Sequence, residues 1–130
     1  MSVTHTVTRS YKDQSANTIN LTEILVGNAE LNIDDSVAIA ANHQIHWACT
    51  RANLQAVALY AAGPVTVYTN NPSGGGPQDT IALVAGQTLV WSLATDLLAK
   101  CPFAADVTTV YVTNAGSGAV AFKIRALLNQ

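Results

Sequence analysis

Three histidines, two cysteines and eight acidic side chains are the raw material for chemistry in this chain. Their spacing decides whether they can act together. His43 and His46 stand three apart, and on an extended chain residues i and i+3 point to opposite faces, so the pair cannot share a metal ion. Asp34 and Asp35 diverge for the same reason, and read as a turn after a strand carrying Leu31 and Ile33. No Cys/His set has zinc spacing. Ser117 lies in Gly-Ser-Gly, short of the Gly-x-Ser-x-Gly elbow between strand and helix that exposes a nucleophile. The stretch NNPSGGGPQDT at 70–80 is glycine-rich, yet it has no lysine to reach a phosphate and leads into a strand rather than a helix. No catalytic, metal-binding or cofactor-binding residue is therefore expected, and the chain is not read as an enzyme. Cys49 and Cys101 are taken as buried thiols, with a disulfide between them as the alternative. Asn20-Leu21-Thr22 matches a glycosylation acceptor, which is chance in a chain that is not secreted.

The elements that would position any site are strands. Period-2 alternation recurs along the chain and helical period does not. In VAFKIRAL, Val120, Phe122, Ile124 and Ala126 point one way, and Ala121, Lys123, Arg125 and Leu127 the other. QIHWACT sets Ile45, Trp47 and Cys49 against His46, Ala48 and Thr50. QTLVWSL aligns Leu89, Trp91 and Leu93, and PVTVYTN turns Val65 and Val67 inward with Thr66 and Tyr68 outward. Further strands are expected over Val3–Arg9, Thr18–Ile24, Glu30–Ile33, Leu54–Ala61, Asp79–Val84 and Val107–Thr113. Turn residues bound each of them, among them Gly63-Pro64, Gly86-Gln87 and Gly116-Ser117-Gly118. The twin phrases VYTNNPSGGG and VYVTNAGSGA read as two β-hairpins. One short helical turn is expected from Thr95 to Lys100, stopped by Pro102. The fold class is all-β: one antiparallel β-sandwich domain over residues 1–130, in the form of a jelly roll, with Val120, Phe122 and Ile124 buried against Trp47 and Trp91.

Composition narrows the class of function. Of 130 residues, 49% are hydrophobic and only 11% charged, less than half the usual share of about 25%. A surface so poor in charge suits a protein packed against neighbours. The net charge of −2 and the scattered Lys and Arg offer no attraction to nucleic acid or to an anionic membrane. MSVTHTVTRSYKDQ lacks the basic and apolar regions of a secretory signal, and no apolar run approaches the roughly 20 residues of a membrane helix. The expectation is a soluble protein made in a cytoplasm.

The C-terminal half resembles the small β-sandwich virion proteins of tailed bacteriophages. The matching positions are Val65–Asn70, Asp79–Gly86, Leu89–Trp91 and Phe103–Arg125: a Val-rich strand into Thr-Asn, a Ser/Gly/Pro turn, Asp-Thr-Ile-x-Leu-x-Ala-Gly, a Leu-Val-Trp strand, and a second half ending in a Val-Thr-Asn turn. The resemblance implies a decoration or cement protein on the head surface of the virion. It would bind the major capsid protein, self-associate as a homotrimer, and hold no cofactor.

Two sets of residues are candidates for contact. SVTHTVTRSY alternates Val3, His5, Val7 and Arg9 against Thr4, Thr6 and Thr8, giving neither an apolar nor a charged face. Such a strand is poorly pinned to its own sheet, and residues 1–11 are read as an arm reaching a neighbouring subunit or the capsid, with Arg9 and Tyr11 at its base. An ordinary edge strand is the competing reading. Tyr68 and Tyr111 fall opposite the valines of their strands, where they can anchor a protein contact or stack on a sugar. A carbohydrate-binding sandwich on a tail or fibre is therefore the alternative function.

Overall fold

Side chains that alternate between apolar and polar build strands able to bury one face, and strands make up about half of the chain. The computed structural model describes residues 2–94, 96 and 98–130, with the side chains of 40 and 41 excepted. Among the described residues, eleven antiparallel strands run in chain order: β1 (Val3–Lys12), β2 (Thr18–Gly27), β3 (Ala29–Glu30), β4 (Ile33–Val37), β5 (Ala40–Ile45), β6 (Leu54–Ala61), β7 (Val65–Thr69), β8 (Thr80–Leu83), β9 (Thr88–Ser92), β10 (Val110–Asn114) and β11 (Val120–Leu128). One sheet has the order β5-β10-β7-β8, and the other β3-β11-β6-β9 with β4 also on β11. The two sheets pack face to face as a sandwich. Strand pairs nest around the β7–β8 hairpin: β7 with β8, β6 with β9, β5 with β10 and β4 with β11.

One core fills the space between the sheets. Val120, Phe122 and Ile124 are buried in it together with Trp47 and Trp91, as the alternation predicts. Trp47 stacks at a tilt on Phe103, with ring centroids 5.6 Å apart, and its indole N–H donates to the Leu31 carbonyl. Burial alternates across Ile45, Trp47 and Cys49 as expected, although the ladder of β5 stops at Ile45 and Cys49 makes only a bridge to Val107.

Several expectations need correction. Asp34 and Asp35 lie within β4 rather than in a turn. The strand tolerates them because Arg125 grips Asp34 through two 2.9 Å bonds and His43 Nε2 meets Asp35 at 3.0 Å. The second of the twin phrases is not a hairpin: residues 115–119 carry the chain from β10 in one sheet to β11 in the other. The buried Asn114 amide fixes that crossing by donating to the carbonyls of Val37 and Gly118 while accepting from Gly116 N–H. Leu93 is exposed, beyond the last ladder pair of β9. The helical turn exists as a 3-10 turn at Leu98–Lys100, whereas its predicted cap, Thr95, lies outside the described residues. Leu127, expected outward, is fully buried. A third layer covers it.

Candidate interaction surface

That layer is the ribbon of β1 and β2, which pair with each other from Val3↔Gly27 to Lys12↔Thr18 and join neither sheet of the sandwich. Its turn is closed by the Asp13 carboxylate, which accepts from both the backbone and the side-chain amide of Asn17. These bonds hold the Asp13 carboxyl below the usual range, and they tie down a loop in which Ala16 takes φ 65°.

The ribbon crosses the sandwich along a single row of outward side chains. Register places Glu30, Leu127, Ala56 and Ser92 side by side on β3, β11, β6 and β9. Leu25 from the ribbon packs with Ala56 and Leu127 in the middle of that row, and Val3 and Val7 pack against this cluster. At one end His5 Nε2 meets Glu30 Oε1 at 2.5 Å, which holds the Glu30 carboxyl down. At the other, Ser92 Oγ donates to Glu23 at 2.7 Å, and Arg9 forks onto both Asp96 oxygens at 2.9 and 2.6 Å. The spacing explains the fit. Four residues of extended chain from His5 to Arg9 span about 13 Å, and the three inter-strand steps from β3 to β9 span about 14 Å. Asp96 also accepts from the Ser92 backbone N–H. Above all the Arg9 guanidinium, and then that bond, bring its carboxyl to about 2.

Past this latch the ribbon has no cover. Residues 10–22 are all exposed. Tyr11 and Ile19, directly opposed in the register, are 68% and 72% exposed, and on the outer face Ile24 and Val26 are 70% and 59% exposed. With Leu21, they make five of the ten large apolar side chains exposed among the described residues.

Of the arm candidates, Val3, His5, Val7 and Arg9 all turn toward the chain's own body, and Tyr11 stands free. The strand is neither a loose single arm nor an edge of the sandwich. Its partner β2 is the element the alternation did not assign to it. Glu23, Ser92 and Asp96, which seat the ribbon, went unnoticed in the sequence. The one signal for them is that TINLTEILVG carries apolar side chains at both parities, as a strand does when neither of its faces belongs wholly to a core. Tyr68 and Tyr111 sit directly opposite each other on the outer face of the other sheet, half-buried, with Gln44 next to Tyr111. They are far in the fold from the ribbon, so the two candidate sets do not form one site.

Other reactive groups are structural in their surroundings. Cys49 and Cys101 are both free thiols, and burial pushes Cys49 up to about 11. No group of three metal-ligating side chains occurs among the described residues. No described helix is long and apolar enough to cross a membrane. Compared with known proteins, the chain matches no family model, no curated protein and no solved structure.

Proposed function

We propose that this chain is a virion structural protein, a decoration or cement protein that binds the major capsid protein lattice on a phage head. The observation that carries the reading is the ribbon: a hairpin of two ten-residue strands latched by charge to its own body, with its apolar tip left in solvent. Exposed apolar side chains clustered on a projecting element are the mark of a surface that is covered in an assembly. The low charge of the chain and the resemblance of its C-terminal half to phage virion sandwiches point the same way. A homotrimer is the preferred state, since three weak ribbon contacts acting together raise avidity without a large interface. The nested strand pairs support the finer description of the body as a jelly roll.

The test is co-sedimentation with purified particles. The wild-type chain should travel with them, and the Tyr11→Lys/Ile19→Lys variant should not while keeping its melting temperature, because both side chains are exposed. A chain absent from particles overturns the reading. The tyrosine pair favours a second reading, sugar stacking on the outer face of the β10/β7 sheet. Glycan binding that disappears in Tyr68→Ala, with no particle binding, would replace the first.

A further inference from the structure

The ribbon covers only one row of the sheet beneath it. The next outward row, Arg125, Ala58 and Val90 on β11, β6 and β9, lies two residues further along each strand. It forms the floor of a cleft of about 520 Å³, whose wall is β1. Thr4, His5, Thr6, Val7 and Thr8 all line it. Five consecutive residues of a strand alternate between its two faces, so a cleft that touches all five runs along the backbone edge. Among the described residues β1 is paired with β2 alone, and this edge presents its backbone N–H and C=O groups to the cleft.

The dimensions select the occupant. A strand added to β1 would lie about 4.8 Å from it, and the floor row lies about 7 Å from the row the ribbon covers, so there is room for one strand. Ala58 and Val90 give that floor a low apolar centre. Its β11 end carries two cations, Arg125 and Lys123, with the Asp34 carboxylate at 2.9 and 3.9 Å and the Glu30 carboxylate within electrostatic reach of Arg125. A small molecule would leave the edge unpaired. A second folded copy docking by its own β1 would bring its body into the space this body already fills beneath the cleft.

We propose that this cleft binds an extended peptide segment of a partner protein, added as a third strand to the β1 edge. Its small apolar side chains point at Ala58 and Val90, and an acidic side chain lies over Arg125 and Lys123. This deepens the assembly reading, and rests on it only for which protein supplies the segment.

The probe is acetyl-Thr-Val-Thr-Val-Thr-Glu-amide, whose terminal acid reaches β11 when the peptide runs antiparallel to β1. It is titrated into the full chain and followed by amide shifts and exchange. Binding should protect the alternate amides within Thr4–Thr8 that face away from β2, and shift Val90. Replacing the terminal Glu by Lys should weaken it about tenfold, the worth of one well-placed charge contact. Of two N-methylated versions, one blocked at the valine amides and one at the threonine amides, only one should bind, because only one edge of the added strand faces β1. Ala58→Arg and, in case it folds poorly, Val90→Lys should abolish binding with the melting temperature kept. No saturable binding, equal binding by both N-methylated peptides, or binding indifferent to both floor variants overturns the proposal. So does concentration-dependent protection of the same Thr4–Thr8 amides without peptide, which assigns the edge to a second copy. Floor variants that still co-sediment with particles sink the peptide site and leave the assembly role. A chain that binds peptide but no particle does the reverse.

Discussion

Replacing Arg9 by Met keeps the apolar stem of the side chain and removes the fork onto Asp96. The ribbon shares no ladder with the sandwich, so the loss should appear as local opening of β1 and β2 rather than as unfolding of the body. Its size follows from the carboxylate. Asp96 is brought from 3.8 to about 2, chiefly by Arg9, and at about 1.4 kcal/mol per unit this sets a ceiling of roughly 2 kcal/mol. Arg9 and Asp96 are 34% and 21% exposed, and the Ser92 N–H would remain on Asp96, so solvent screening leaves about 1 kcal/mol. That corresponds to roughly fivefold faster exchange of the β1 and β2 amides at neutral pH. A carboxyl with a depressed folded value stabilises above its unfolded value and loses that stabilisation as it is protonated. The difference between wild type and Arg9→Met should therefore be full above pH 4, shrink as the pH falls, and nearly vanish at about 2. Glu30 and Asp35 titrate alike in both proteins and cancel in the comparison. Hydrogen exchange resolved by residue is the assay. Ribbon amides unchanged in Arg9→Met, a difference that ignores acid, or equal losses across β11 and β6 would refute the latch.

Two other substitutions and one chemical modification test the packing. Leu127→Ala empties a buried site between the ribbon and the sheet and should cost about 2–4 kcal/mol in urea unfolding. Asn114→Ala strips two buried or half-buried carbonyls of their donor and Gly116 of its acceptor, so about 2–3 kcal/mol should be lost, which a drop in melting temperature would register. Iodoacetamide at pH 8 should modify Cys49 far more slowly than free cysteine, because its thiol is buried and raised to about 11; mass spectrometry of intact and peptide-mapped protein reads the rate.

The sequence made the sandwich core legible because burial there is one-sided. Val120, Phe122, Ile124, Trp47 and Trp91 alternate with residues that meet water, and all five are in the core. Legibility ended where a side chain's surroundings come from a distant element. Leu127 sits among outward positions of β11, and only a ribbon a hundred residues earlier explains its burial. Asp34 is an unfavourable strand residue until Arg125, 91 positions away, is laid beside it. The two Val-Tyr phrases look alike locally, yet one closes a hairpin and the other crosses between sheets, because the partner strands are set by nesting. The ribbon itself was half visible. β1 showed a strand without a core face, and the row of Glu30, Leu127, Ala56 and Ser92 that receives it exists only once four strands are in register.

The same separation between ribbon and body yields the last prediction. The main core cluster contains no residue of β1 or β2, and none of the nested pairs involves them. What the ribbon gives the body is a cover over Ala56 and Leu127, side-chain contacts to Glu30, Ser92 and Asp96, and the close passage of Gly27, where an added Cβ would collide with the Leu128 carbonyl oxygen. Deleting residues 2–27 together with Leu127→Thr removes the ribbon and lowers the apolar exposure that would otherwise follow. The truncated chain should keep the strand-dominated circular dichroism of the parent and a cooperative melt, at a lower temperature. It should also lose particle association and the peptide binding assigned to the β1 edge, since both belong to the ribbon. Deleting residues 2–9 alone should behave worse, because it leaves β2 without a partner and its Ile24 and Leu25 unsupported. A truncated body that fails to fold would show the ribbon to be part of the sandwich's stability. A folded body that still binds particles would move the contact surface off the ribbon altogether.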